Sequence, residues 1–195
     1  MTIQLNDSDR SEVLRYLGYR GNEITSVVEE KLETAFKICN KIINVRSVWK
    51  LYSIRESKEG ITLEGADCAL PGESLKKLLS GLSEAILFCV TIGIDFDREI
   101  EKQMIKDPSL GVCLNACGIA AVEKACDALQ KEVEEKTGKK TTTRFSPGYG
   151  DLPLDSQRDF IRLLNTEKIA GVRLNENNLM NPLKSVTAIA GLREE

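Results

Sequence analysis

The sequence predicts an α+β fold, with helices at the N-terminal side and a mostly antiparallel sheet flanked by helices. Three observations carry this. Apolar residues recur at helical spacing through residues 1–45. The pattern then changes, because "SVWKLYSIRES" is rich in β-branched and aromatic residues. Further on, the apolar run "EAILFCVTIGI" has the length and flanks of a buried strand. The 195 residues are the size of one ordinary domain. We divide that domain into a helical part, 1–45, and an α+β part, 46–195.

The elements follow in order. "NDSDRSEVLRYLG" reads as a first helix, capped by Asp7, Ser8 or Asp9, with Val13, Leu14 and Leu17 on one side and Gly18 and Gly21 closing it. "EITSVVEEKLETAFKICNKI" reads as a longer helix with Ile24, Val27, Val28, Leu32, Ala35 and Ile38 inward. "SVWKLYSIRES" and "GITLEGADCAL" form a hairpin about "ESKEG", in which Trp49 and Tyr52 are read as core rather than as a docking surface. "PGESLKKLLSGL" is a short helix behind a Pro-Gly entry. After the buried strand, "DFDREIEKQMIKD" restarts as a helix. "PSLGVCLNACGIAAVEKACDALQKEVEEKTG" is long enough for about eight turns. Its small, apolar first half is central, and its charged "KEVEEK" is a solvated face. "LDSQRDFIRLLN" is a helix with Phe160, Ile161, Leu163 and Leu164 inward. In the C-terminal stretch, "SVTAIAGL" is the clearest strand.

Composition narrows the function. Hydrophobic residues are 42% and charged residues 29%, with net charge −3, so the chain is built to fold. There is no long basic block, which argues against nucleic acid as the main partner. The N-terminus shows no secretory pattern, and the run "AILFCVTIGI" is too short to span a bilayer; the expected location is cytoplasmic. Histidine is absent, which excludes Ser-His-Asp and Cys-His sites and imidazole metal ligands. The six cysteines, Cys39, Cys68, Cys89, Cys113, Cys117 and Cys126, contain no C-x-x-C pair. They read as reduced, mostly buried small apolar residues.

One segment carries chemistry. "TTTRFSPGYGDLPLDSQRDF" gathers an arginine, two glycines, a tyrosine, two prolines and acids just before a helical pattern. Gly148 and Gly150 open backbone conformations closed to other residues, and Pro147 and Pro153 stiffen the turn. A purely structural β-to-α connection could use the same residues. The functional reading is that Arg144 grips a carboxylate, glycine lets a ligand approach the backbone, and Tyr149 offers a flat face and a hydroxyl. That suits a small zwitterionic or nucleoside ligand. Asp151 and Asp155 read as caps of the following helix.

Arg144-Phe-Ser-Pro-Gly148-Tyr149-Gly-Asp-Leu-Pro153 fits R-x-x-x-G-Y-x-x-x-P. It resembles the signature of the S-adenosylmethionine-binding activation domain of cobalamin (vitamin B12)-dependent methionine synthase. "GIAAVEKACDAL" is similar to a helix of that family whose glutamate reaches the ligand, which places Glu123 at that position. "MNPLKSVTAIAGL" resembles its C-terminal P-x-x-S-V strand. The resemblance covers roughly residues 84–195. It implies an activation-domain-like fold with its ligand loop at 141–153. Arg144, Ser146, Gly148, Tyr149 and Glu123 are then the residues about S-adenosylmethionine, with no catalytic side chain and no metal ligand. Two positions depart from the family. Its acidic residue in an N-terminal aromatic stretch has no equivalent here, and Ala190 stands where it has a tyrosine.

What the resemblance implies is a methyltransferase component that works with a partner chain in methionine biosynthesis. It would supply the methyl group when an inactive cobalt(II) corrinoid is reductively methylated. The cobalamin would be carried by a partner methionine synthase or other corrinoid protein, and a flavodoxin- or ferredoxin-type donor would supply the electron. Two other readings stay open: a non-catalytic interaction subunit that has lost the ligand, and a small-molecule methyltransferase independent of cobalamin.

Overall fold

The structure, a computed structural model, describes residues 1–19, 21 and 24–194. Among the described residues lie eight strands and seven α-helices. Helices α1 (Arg10–Tyr16) and α2 (Ser26–Ile42) come first. Strands β1 (Arg46–Glu56), β2 (Ile61–Leu63) and β3 (Ala69–Leu70) follow, then α3 (Glu73–Leu79) and β4 (Glu84–Thr91). Next are α4 (Ile94–Lys106), α5 (Pro108–Thr137) and β5 (Lys140–Thr141). The chain ends with α6 (Gln157–Leu164), α7 (Thr166–Ile169), the small β6–β7 ribbon (Arg173–Leu174, Met180–Asn181) and β8 (Ser185–Arg193).

The main sheet has six strands in the order β3-β2-β1-β4-β8-β5. Every pair in it is antiparallel. Helices cover both faces. On β4, Ile86, Phe88 and Val90 enter a core shared with α1, α2, α4 and α5. The alternate residues Ala85, Leu87 and Cys89 enter a second core with α3 and α6. This is the period of two expected of a strand. Because both faces are covered, β4 is apolar without alternation from Ala85 to Val90.

The long helix forms as its sequence demands. The Asp107 side chain accepts from the Leu110 amide at 3.1 Å, Pro108 opens the first turn, and Gly138 ends it at φ +71°. These are the preferred residues at each position. Its small residues allow close packing: a Cβ on Gly118 would lie 2.6 Å from Phe96 Cε1. The helix has a stretch long and apolar enough to cross a membrane, which the sequence reading passed over, and 67% of it is buried inside this fold.

Several local expectations need correction. A 3₁₀ turn, Asp7–Asp9, precedes α1 and is capped by Asn6, whose side chain accepts from the Ser8 amide at 3.0 Å while the Asn6 amide donates to the Asp9 carboxylate at 2.8 Å. Asp9, among the residues read as the cap, stands at the N-cap of α1 but makes no side-chain bond to that helix, because its carboxylate serves the turn. Helix α2 starts at Ser26 behind Thr25, and Val27 points outward, 64% exposed; Glu23, read as part of that helix, lies outside the described residues. Trp49 and Tyr52 pack partly against the two cores. Five of the six cysteines are buried and Cys68 is half-buried.

Candidate functional site

The segment 142–153 leaves β5 and runs along β8 before entering α6. Phe145 and Ile189 exchange backbone hydrogen bonds at 2.9 Å in both directions, so the loop begins as an extra rung of the sheet. It then turns tightly. The Gly148 amide donates to Leu152 O at 2.9 Å and the Tyr149 amide to Ser146 O at 3.1 Å. Gly148 sits at φ +88° and Gly150 at φ +53°, which glycine adopts without strain. A Cβ on Gly150 would also press at 3.3 Å on both Phe145 and Ser74.

Asp151 locks the far side of this turn. Its carboxylate accepts from the Glu73 amide at 2.7 Å and the Ser74 amide at 3.1 Å. It therefore caps α3, far away in sequence, and not the helix that follows it. Asp155 likewise does not cap that helix; it accepts from Asn178 Nδ2 at 2.6 Å. Desolvation pushes the Asp151 carboxyl up, but the Ser74 and Glu73 donors outweigh it and hold it below the ordinary carboxylate range.

A cleft of about 430 Å³ opens beside the turn. Arg144, Ser146 and Tyr149 of the loop line it, and α5 adds Glu123. Four of the five residues singled out in the sequence thus share one cleft. Gly148 does not line it but shapes the turn that presents Tyr149, which is 69% exposed. Phe145, Pro147, Leu154, Leu179 and Met180 give it an apolar and aromatic wall, and polar residues of α6 and β8 complete the lining. Ala190 is fully buried in the helical core on the other face of β8 and does not line the cleft.

Arg144 is held from α5. Its guanidinium bonds Glu123, Asp127 at 2.6 Å and Gln130 Oε1 at 2.9 Å. Glu123 and Asp127 are one helical turn apart, so both reach the same group. Burial works against the charged form, but the two carboxylates outweigh it and raise the arginine further. Two carboxylates around one guanidinium leave the cluster with net negative charge.

Sequence reasoning missed other residues of the site. Gln157 opens α6 and Thr187 lies on β8; both line the cleft and are 3% and 1% exposed. Gln157 Nε2 and Thr187 Oγ1 have no hydrogen-bond partner. On the other side of the Glu123–Arg144 pair, a smaller cleft of about 260 Å³ is lined by Asp9, Glu12 and Tyr16 of the N-terminal segment. The N-terminal acidic residues that the sequence alone did not connect to Arg144 therefore stand next to it in space.

No family model matches the chain, and no curated protein matches it. Among solved structures, a crystal structure of the MetH reactivation domain bound to AdoHcy matches with a TM-score of 0.72. The match covers 94% of this chain and 73% of that one, at 18% sequence identity. The fold is that of the MetH reactivation domain. At this identity the likeness speaks for architecture, and it extends the similarity seen from residue 84 onward to nearly the whole chain.

Proposed function

We propose that this chain binds S-adenosylmethionine in the Arg144 cleft and serves as a reactivation module for a cobalamin-dependent methionine synthase or a related corrinoid protein. The observation that carries the reading is the meeting, in one cleft of a reactivation-domain fold, of Arg144, Ser146 and Tyr149 with Glu123. Each suits a part of the ligand. A guanidinium pairs bidentately with the methionyl carboxylate. Glu123 pairs with the ammonium or a ribose hydroxyl. Ser146 offers backbone polar groups, and Gly148 keeps the turn tight enough to present Tyr149. The net negative charge of the Glu123–Asp127–Arg144 cluster favours a ligand with an excess positive charge, as the sulfonium of S-adenosylmethionine has.

The unpaired polar atoms of Gln157 and Thr187 in the same cleft fit a polar occupant. No side chain of this chain is asked to act as nucleophile or base, which suits a protein without histidine. The bound ligand supplies the methyl group; the chain binds and orients it. The cobalamin and any imidazole ligand to its cobalt come from the partner. Exposed Tyr149, Leu154 and Leu179 on the cleft rim are the face on which that partner docks.

The test is reconstitution. The chain is mixed with a cobalt(II) corrinoid partner, S-adenosylmethionine and a flavodoxin- or ferredoxin-type donor, and the corrinoid spectrum is followed. The proposal expects return of the partner to its methylated form, dependent on this chain and lost with Arg144→Ala. No change with any corrinoid partner rejects it. One observation favours the non-catalytic alternative: Arg144 already has three internal partners. Under that reading the chain binds the partner but no S-adenosylmethionine.

A further inference from the structure

The buried polar side chains of the cleft fall into two kinds. Ser185 Oγ is paired with Pro182 O at 2.7 Å and Thr91 Oγ1 at 2.8 Å. Asn178 takes the Arg158 Nε donor at 2.7 Å and gives its own amide to Asp155. Gln157 and Thr187 are at least as deeply buried, yet Gln157 Nε2 and Thr187 Oγ1 bond nothing. A buried donor without an acceptor costs stability, and folded proteins rarely tolerate it. Here two such groups lie in one cleft.

Their placement follows from the fold. Phe160 and Leu164 on α6 are fully buried against the sheet. Gln157, three and seven residues before them, falls on the same stripe of the helix, where an apolar residue would be expected. On β8, Thr187 lies on the same face as Ile189, which enters that core. Gln157 and Thr187 therefore border the cleft from its α6–β8 side, where Phe145, Leu154 and Met180 also line it.

We infer that Gln157 and Thr187 form a specificity-determining floor that donates hydrogen bonds to the ring nitrogens of a purine base. The inference rests on the reading above that the cleft takes an adenosyl ligand. An apolar slot alone accepts any flat ring of the right size. Two donors at its base favour a ring with acceptors on its buried edge and penalise a ring that has C–H there. The groups are unpaired in the free protein and become paired on binding, so the site trades stability for selectivity.

The experiment measures binding of S-adenosylhomocysteine and its 1-, 3- and 7-deaza analogues to the native chain, Gln157→Met and Thr187→Val, with thermal melting of each ligand-free protein. For the native chain, at least one deaza analogue binds about tenfold more weakly than the parent. In Gln157→Met or Thr187→Val that discrimination shrinks and the parent binds more weakly. The ligand-free variants melt at or above the native temperature, because an unmet buried polar group is gone. If the parent binds and all analogues bind equally well to native and variant proteins, the floor is overturned and the adenosyl reading stands. Variants that melt lower and bind the parent unchanged also overturn it, since the two residues then serve only the fold. If the native chain binds neither S-adenosylhomocysteine nor S-adenosylmethionine, the adenosyl reading itself falls, and the inference with it.

Discussion

Replacing Arg144 with methionine separates a ligand-binding arginine from a structural clamp. The substitution keeps the apolar stem and removes the guanidinium. In the fold, the arginine side chain is 23% exposed, but its partners Glu123 and Asp127 are 38% and 69% exposed. Ion pairs so open to water contribute about 0.2–1 kcal/mol each. Their loss, with about 0.2–0.5 kcal/mol of repulsion between carboxylates one helical turn apart, costs about 1–2 kcal/mol of folding free energy. For a domain of this size that is a fall of a few degrees in melting temperature. Binding should suffer more. A bidentate, charge-assisted pair to the ligand carboxylate is worth about 2–3 kcal/mol, which is roughly 30- to 150-fold in affinity. Calorimetric titration with S-adenosylmethionine beside scanning calorimetry of the free proteins reads both numbers. Arg144→Lys keeps the charge without the fork and should lose about tenfold. A variant that melts far below the native protein while binding the ligand normally would refute the reasoning.

Three further predictions concern the frame that holds the site. Gly111→Ala places a Cβ 2.8 Å from Met104 N and 3.0 Å from Met104 Cα. Forcing α4 and α5 apart costs about 1–3 kcal/mol against about 1 kcal/mol gained in helix propensity, so a net loss is expected in denaturant unfolding. Asp151→Ala frees the α3 amides and the ligand turn together; amide exchange should quicken at 73–74 and 146–152 more than in β4. Asp97 is 6% exposed, with Oδ2 accepting from the Leu183 amide at 2.6 Å and Oδ1 unpaired. Burial raises its pKa, against the Leu183 amide and the charge of Lys184. The folded protein thus holds this proton more tightly than the unfolded chain. Stability falls as pH rises from the ordinary aspartate range through the raised value. Asp97→Asn should melt higher than the native protein at neutral pH, and the difference should vanish in acid; a constant difference would count against the carboxylate as its source.

How much was legible follows from how local each signal is. The R-x-x-x-G-Y-x-x-x-P segment is contiguous, so Arg144, Ser146 and Tyr149 stand out in the chain itself. Glu123 was reachable because its helix has a pattern of its own. The β4 run showed as a strand because a strand covered on both faces is apolar without interruption. Gln157 and Thr187 were not reached, since they meet only when α6 packs on the sheet. A signal was present: Gln157 is a polar residue on the stripe of Phe160 and Leu164. The role of Asp151 does not show in the chain, because a carboxylate can cap any helix end that the tertiary fold brings to it, and here that end is α3, some 77 residues away. Asn6 was missed because a 3₁₀ turn shifted the start of the helix. The acids of the N-terminal segment were out of view for a similar reason, being more than a hundred residues from Glu123 in sequence and beside it in space.

The most direct measurement is calorimetric titration of the native chain with S-adenosylmethionine, alone and in the presence of a cobalamin-loaded methionine synthase. The account predicts saturable binding at one site per chain, abolished or strongly weakened in Arg144→Met. The absence of binding under both conditions would contradict it and leave this fold serving a purpose other than presenting a methyl donor.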